Sequence, residues 1–305
     1  AEDVDIVDAD GDGWPDIIVA CELAHLIYFK NPAYDHRLLK WKRTIPEITT
    51  NRGSFIRVFF ADFNNDGKPE VVAANKGGEN PDIINAPLNN ISIYLLPDNP
   101  LEGDKWEEMV LTQVRIPINS QPVDLDLDGD MDIVVGSRGE RRILWLENKG
   151  DFKFAQHDIR LSTALDKGSW ITGFNMDYGD LNGDGLLDIV SSVWPSSAYI
   201  LFQPHDPADK WNILKIGSIE PDLLVSVSLA DIDGDGDKDL FSGSYSLGSR
   251  DKDDSDGLNK SFGSVVWFEN TENNWIKNNI LRRKRGMYDK WIPLDLDKDS
   301  DLDFI

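Results

Sequence analysis

The chain offers its chemistry in one motif repeated six times. Oxygen-bearing side chains stand at the first, third, fifth and ninth positions of a nine-residue loop. The first three copies are Asp8, Asp10, Asp12 and Asp16, then Asp62, Asn64, Asp66 and Glu70, then Asp124, Asp126, Asp128 and Asp132. The later copies are Asp180, Asn182, Asp184 and Asp188, then Asp231, Asp233, Asp235 and Asp239, then Asp295, Asp297, Asp299 and Asp303. Five copies have glycine at the sixth position (Gly13, Gly67, Gly129, Gly185 and Gly236), and the last has Ser300. Carboxylates this dense repel one another unless a hard cation sits among them. Calcium suits the donor set, because it accepts about six to eight oxygen ligands in a flexible cage. The pattern is not an EF-hand, which needs a bidentate glutamate at its twelfth position. Here that position is Val19, Ala73, Val135, Ser191 or Ser242.

The loops also explain the charge. The formal net charge is −24, and the six windows hold 25 of the 55 acidic residues against three bases, Lys68, Lys238 and Lys298. The rest of the chain, with 30 acids and 28 bases, is nearly neutral. The acidic balance therefore belongs to the loops and argues only mildly against a nucleic-acid partner. No apolar run is long enough to insert into a membrane. The one cysteine, Cys21, has no partner for an intramolecular disulfide and reads as a buried thiol. Sites this numerous suit extracellular calcium, which places the protein outside the cell, at the cell surface or in a periplasm.

The elements that position the loops repeat with them. Loops begin at 8, 62, 124, 180, 231 and 295. A strand-like segment leads in (55–61, 171–178, 224–230, 290–294) and a short β-branched run leads out, as in Ile17 to Val19 and Ile133 to Val135. An apolar, aromatic third segment follows, then a fourth that starts at Trp41, Trp106, Trp211 or Trp275. No segment of useful length has a helical period. Four strands at a period above 50 residues predict an all-β fold, a β-propeller of four-stranded antiparallel blades. An open β-solenoid is the rival. Blades begin near residues 4, 55, 119, 171, 224 and 290 of a single domain over 1–305. Five are complete; the chain stops early in another, as if truncated from a ring of seven.

The pattern D-x-D-x-D-G-x-x-D followed by a β-branched run resembles the FG-GAP/VCBS repeat, found in the propellers of integrin α-chains, a fungal lectin and many secreted bacterial proteins. The resemblance covers essentially the whole chain. It implies side-chain calcium ligands at positions 1, 3, 5 and 9, a backbone carbonyl at position 7, and one calcium per loop. Asn64 and Asn182 at position 3, Glu70 at position 9 and Ser300 at position 6 depart from the pattern and predict weaker sites.

These loops read chiefly as staples, so a ligand must be sought elsewhere. With the calcium loops on one face, the opposite face holds the second-to-third and fourth-to-first connections. Two long insertions fall there, 75–89 and 244–263, the second carrying an acidic run from Arg250 to Gly257. Arg52 before Phe55, Lys167 before Trp170, and Arg285, Tyr288 and Lys290 before Trp291 each set a base ahead of an aromatic. Arg52, Trp170, Arg285, Tyr288 and Trp291 are the candidate ligand residues, suited to a sugar or an anion. Packing is the competing role for the aromatics. Of the four histidines, His36 and His205 lie on the calcium side, His157 in a fourth strand, and only His25 near the candidate ligand face. Catalytic motifs are absent. The expected function is a secreted calcium-binding module for carbohydrate or an extracellular protein. The alternatives are a polysaccharide lyase or sugar dehydratase, with His25 as its weak catalytic candidate, and a structural module of a larger surface or filament protein.

Overall fold

The computed structural model describes residues 1–34, 38–246, 261–271, 274–284, 286–299 and 301–305. Two compact units divide it, Ala1–Asp158 and Ile159–Ile305. Both are built from four-stranded antiparallel sheets in which sequence neighbours are spatial neighbours. Single 3-10 turns occur at Glu47–Thr49 and Gly103–Lys105.

The first unit contains three such sheets. Strands β1 (Asp3–Val7), β2 (Asp16–Ala20), β3 (Leu26–Lys30) and β4 (Lys42–Thr44) form one. Strands β5 (Phe55–Ala61), β6 (Glu70–Asn75), β7 (Leu88–Leu95) and β8 (Glu107–Arg115) form the next. The third comprises β9 (Pro117–Val123), β10 (Asp132–Ser137), β11 (Arg142–Asn148) and β12 (Phe154–Asp158). The second unit has two sheets, β13 (Trp170–Gly179) to β16 (Asn212–Ser218) through β14 (Asp188–Trp194) and β15 (Ser197–Phe202), and β17 (Leu223–Ala230) to β20 (Asn274–Arg283) through β18 (Asp239–Tyr245) and β19 (Gly263–Thr271). A short pair, β21 (Pro293–Leu294) and β22 (Asp303–Phe304), flanks the sixth loop.

Burial follows strand rank within each sheet. The second strands β6 and β10 are buried at every position, so they read as continuous small or β-branched runs such as Val71 to Ala74. Fourth strands form outer edges, and β20 is largely exposed. Prolines 117 and 122 are tolerated in β9 because it is also an end strand, where a missing N–H breaks no ladder. First strands pack on neighbouring sheets within a unit: β5 against β1 and β9, and β17 against β13 and β14. The core lies between sheets, around Ile18, Tyr28, Phe55 and Tyr94 in the first unit and Ile200, Leu224, Leu240 and Phe268 in the second.

Tryptophans mark the start of fourth strands as expected in three sheets. Trp41, Trp106 and Trp211 immediately precede β4, β8 and β16, while Trp275 lies inside β20. Strand β12 has no tryptophan and starts at Phe154, whose ring meets Phe63 edge-on at 6.2 Å. Cys21 is half-buried rather than buried, because it sits in the turn leaving β2.

One close approach sets a size limit. A Cβ added at Gly217 in β16 would come within 2.3 Å of the Phe268 ring. Gly217→Ala should destabilise the protein by about 1–3 kcal/mol, as overpacking of a well-filled core does. Urea unfolding checks this; an unchanged midpoint would show that the ring moves aside freely.

Candidate functional site

Each acidic loop joins the first strand of a sheet to the second. Its fold follows from local hydrogen bonds that the side-chain oxygens accept. The position-1 carboxylate caps the turn: the N–H groups of Gly13, Gly67, Gly129, Gly185 and Gly236 donate to Asp8, Asp62, Asp124, Asp180 and Asp231 at 2.7–3.1 Å. The position-5 carboxylate accepts from the position-7 N–H in all six loops, at 2.8–3.1 Å. These are Asx-type bonds, which aspartate and asparagine make readily. The glycines at position 6 have φ between 85° and 98°, the left-handed region that a side chain resists.

A second left-handed position escaped the sequence reading. Position 4 has positive φ in every loop: Gly11, Asn65, Leu127, Gly183, Gly234 and Lys298, between 57° and 78°. Three glycines and an asparagine there were the available signal.

The ninth position is where loop and sheet meet. Asp16, Glu70, Asp132, Asp188 and Asp239 are all at most 6% exposed. In all six loops the position-9 carboxylate accepts the N–H of the position-2 residue at 2.9–3.3 Å. In four it also accepts an N–H from the end of the third strand: Asn31, Asn148, Gln203 and Asn270, at 2.7–3.0 Å. Tyr28 in β3 adds its hydroxyl to Asp16. Burial pushes these acids up: Glu70 and Asp132 to about 7, Asp188 to about 6, and Asp16 and Asp239 above the usual carboxylate range.

Carboxylate oxygens converge within 4.8 Å of one another in four loops: Asp8 with Asp10 and Asp16, Asp124 with Asp126 and Asp128, Asp231 with Asp233 and Asp239, and Asp295 with Asp297 and Asp299. The second and fourth loops, with Asn64 and Asn182, form no such group of three acids among the described residues. One oxygen each of Asp10 and Asp124 is buried without a hydrogen-bond partner, as is one of Asp237 at position 7 of the fifth loop. A buried orphan carboxylate oxygen is costly, and an all-oxygen donor set is what a hard cation takes. The residues therefore fit a divalent metal such as calcium.

Loops are brought side by side within the first unit. Asp8 and Asp10 share an open groove of about 330 Å³ with Asn64, Asp66 and Glu70. Asn65 of the second loop donates to Asp130 of the third at 2.5 Å, and Asn148 Nδ2 reaches the Phe63 carbonyl at 2.8 Å.

The candidate ligand residues fall in separate places. In the first unit, Arg52 is exposed and ion-paired with the nearly buried Glu108 of β8. The turn carrying His25 lies beside it, because the Leu23 N–H donates to Ser54 Oγ at 2.8 Å. In the second unit, Trp170 stacks on Trp194 with ring centres 5.6 Å apart. Tyr288 stacks on Trp291 at 5.6 Å, and Trp291 meets Phe241 edge-on at 4.9 Å. Asn175 Nδ2 bonds the Asp289 carbonyl and fixes this segment against β13. Trp170, Tyr288 and Trp291 are thus each in contact with another ring. His157 contacts Glu147 at 2.8 Å, and its ring lies tilted against Trp145 with centres 5.0 Å apart. Arg285, His36, Ser300 and the run from Arg250 to Gly257 lie outside the described residues.

Comparison with known proteins agrees with the loops. The model of the FG-GAP-like repeat matches residues 8–73 and 124–191. No curated protein matches the chain. Among solved structures, the crystal structure of the V. cholerae biofilm matrix protein Bap1 is similar over 91% of this chain, at 16% identity and a TM-score of 0.46. The chain spans 39% of that protein's length.

The buried ninth position makes a pH prediction. In the folded, metal-free protein Glu70, Asp132 and Asp188 take up protons near pH 6 to 7, whereas unfolded they do so near about 4. The folded state then binds more protons, so stability rises as pH falls through that window and is lost as pH rises above it. With chelator present, the melting temperature should be higher at pH 5.5 than at pH 8. Saturating calcium should flatten or reverse the trend; a chelated protein that melts lower at pH 5.5 would contradict the argument.

Proposed function

We propose that this chain is part of an extracellular β-propeller whose four-stranded sheets are the blades, stapled by calcium in the acidic loops, and that it binds a carbohydrate or another extracellular protein. One observation carries the reading. The same nine-residue loop joins the first and second strands of every sheet, with its carboxylates gathered on one turn and orphan oxygens on Asp10 and Asp124. A cation among them removes the repulsion and satisfies those oxygens together. Positions 1, 3, 5 and 9 are the proposed side-chain ligands. Sites with such exposed rims suit the millimolar calcium found outside cells. Four-stranded sheets repeated at this period bury their faces by stacking as propeller blades, each protecting the next one's edge.

Ligand binding is assigned to the side away from the loops. The half-buried aromatic pairs Trp170 with Trp194 and Tyr288 with Trp291 offer flat apolar surface of the kind sugars pack on. Arg52, half held by Glu108, provides a base at the corresponding place in the first unit.

Calcium removal should lower the melting temperature by many degrees, because ligation adds to folding free energy. A melting curve indifferent to chelator and to added calcium would sink the reading. Asp126→Ala should lower the calcium-saturated melting temperature more than Asp299→Ala, since the third loop sits between complete strands and the sixth is flanked by two-residue strands. Screened on a glycan array, the full chain should lose its signal when Arg52 and Tyr288 are both changed to alanine. Undiminished signal in that double variant would move the ligand elsewhere.

A further inference from the structure

Strand register brings one more residue beside each loop. It lies in the third strand one step beyond Phe29, Tyr94, Leu146, Leu201 and Phe268, the partners of the residue that follows position 9. These residues are Lys30, Leu95, Glu147, Phe202 and Glu269. They sort the loops into two classes. The second and fourth loops, with asparagine at position 3, carry Leu95 and Phe202. The first, third and fifth, with aspartate there, carry a charged residue, and two residues earlier an aromatic with a donor group: Tyr28, Trp145 and Trp267. Within this charged class Lys30 is alone in being basic.

Lys30 lies among the first loop's carboxylates. Its ammonium pairs with Asp10 and, at 3.1 Å, with Asp12, the third- and fifth-position residues. The Asp10 side chain is 8% exposed; Lys30 takes one oxygen, and the other is the buried orphan. In the third loop the corresponding Glu147 instead draws Lys149 and His157 onto itself.

We infer that Lys30 is a tethered cation that competes with calcium for Asp10 and Asp12, making the first loop a weaker metal site than the third and fifth. The inference rests on the calcium reading proposed above. Lys30 is held on β3 and is presented to the loop at an effective concentration of about millimolar or more, comparable with extracellular calcium. A metal entering the loop must displace the ammonium or bear its repulsion. Without metal, the same ammonium relieves the repulsion between Asp10 and Asp12, so the first loop stays ordered where the third relies on calcium.

Calcium alone, titrated calorimetrically into the full chain and into Lys30→Leu, tests this. Leucine is the residue the second loop carries at the corresponding place. One site should tighten on the order of tenfold, since ligand charge sets affinity in such loops, and the others should not change. In chelator Lys30→Leu should melt lower than the parent, and its rise on adding calcium should be larger. Lys30→Gln, which keeps a hydrogen-bond donor without the charge, should shift the same site in the same direction and serves if Lys30→Leu does not fold. Calcium binding by both proteins with superimposable isotherms overturns the role of Lys30 and leaves the calcium reading standing. A site lost in the variant overturns it equally. No calcium bound by either protein overturns both.

Discussion

A buried carboxylate at the ninth loop position is the constraint on which each sheet depends. It is desolvated, yet it accepts N–H groups from the start of its own loop and, in four sheets, from the end of the third strand. One side chain thus ties together the loop, the second strand and the third. Burying a charge is unfavourable unless donors or a counter-ion compensate it. The backbone donors compensate part of the penalty, and burial still holds Glu70, Asp132 and Asp188 above the usual carboxylate range. A cation in the loop, as proposed, would relieve the rest of that penalty and couple metal, loop and sheet through a single residue.

Much of this was legible in the sequence. Loop positions follow from oxygen-bearing residues at fixed spacing, and second strands from their β-branched runs. What escaped was of two kinds. The left-handed fourth position is a backbone property, hidden where Leu127 and Lys298 stand in place of glycine. The ninth position looked like one ligand among four. Its double hydrogen bonding depends on the register of the third strand, which no local pattern encodes.

The basic and aromatic residues show why a ligand face is harder to read than a metal loop. The loop carboxylates cap turns, but gathered so closely they repel one another, which a cation would relieve. An arginine or a tryptophan has a ready structural explanation. Arg52 is ion-paired with Glu108, and Arg282 makes a bidentate pair with the buried Asp222 while its guanidinium lies 4.3 Å from the Phe262 ring. Each base therefore has a stabilising role inside its own sheet whether or not a ligand exists.

The same reasoning separates what the loops do from what the molecule is for. If the loops are calcium staples as proposed, recognition would fall to other connections, whose surface chemistry can vary without disturbing the loops. The loops nevertheless differ in ways that stapling alone does not require. Asparagine at position 3 goes with an apolar overhanging residue, and aspartate goes with a charged one and an aromatic donor. In that second class the carboxylate charge is greater and its compensation more varied: a lysine in the first loop, an acid bound to its own cations in the third. Equal staples would need one solution repeated. Unequal ones, if they take calcium as proposed, would fill at different calcium levels, with the third strand as well as the loop setting each level.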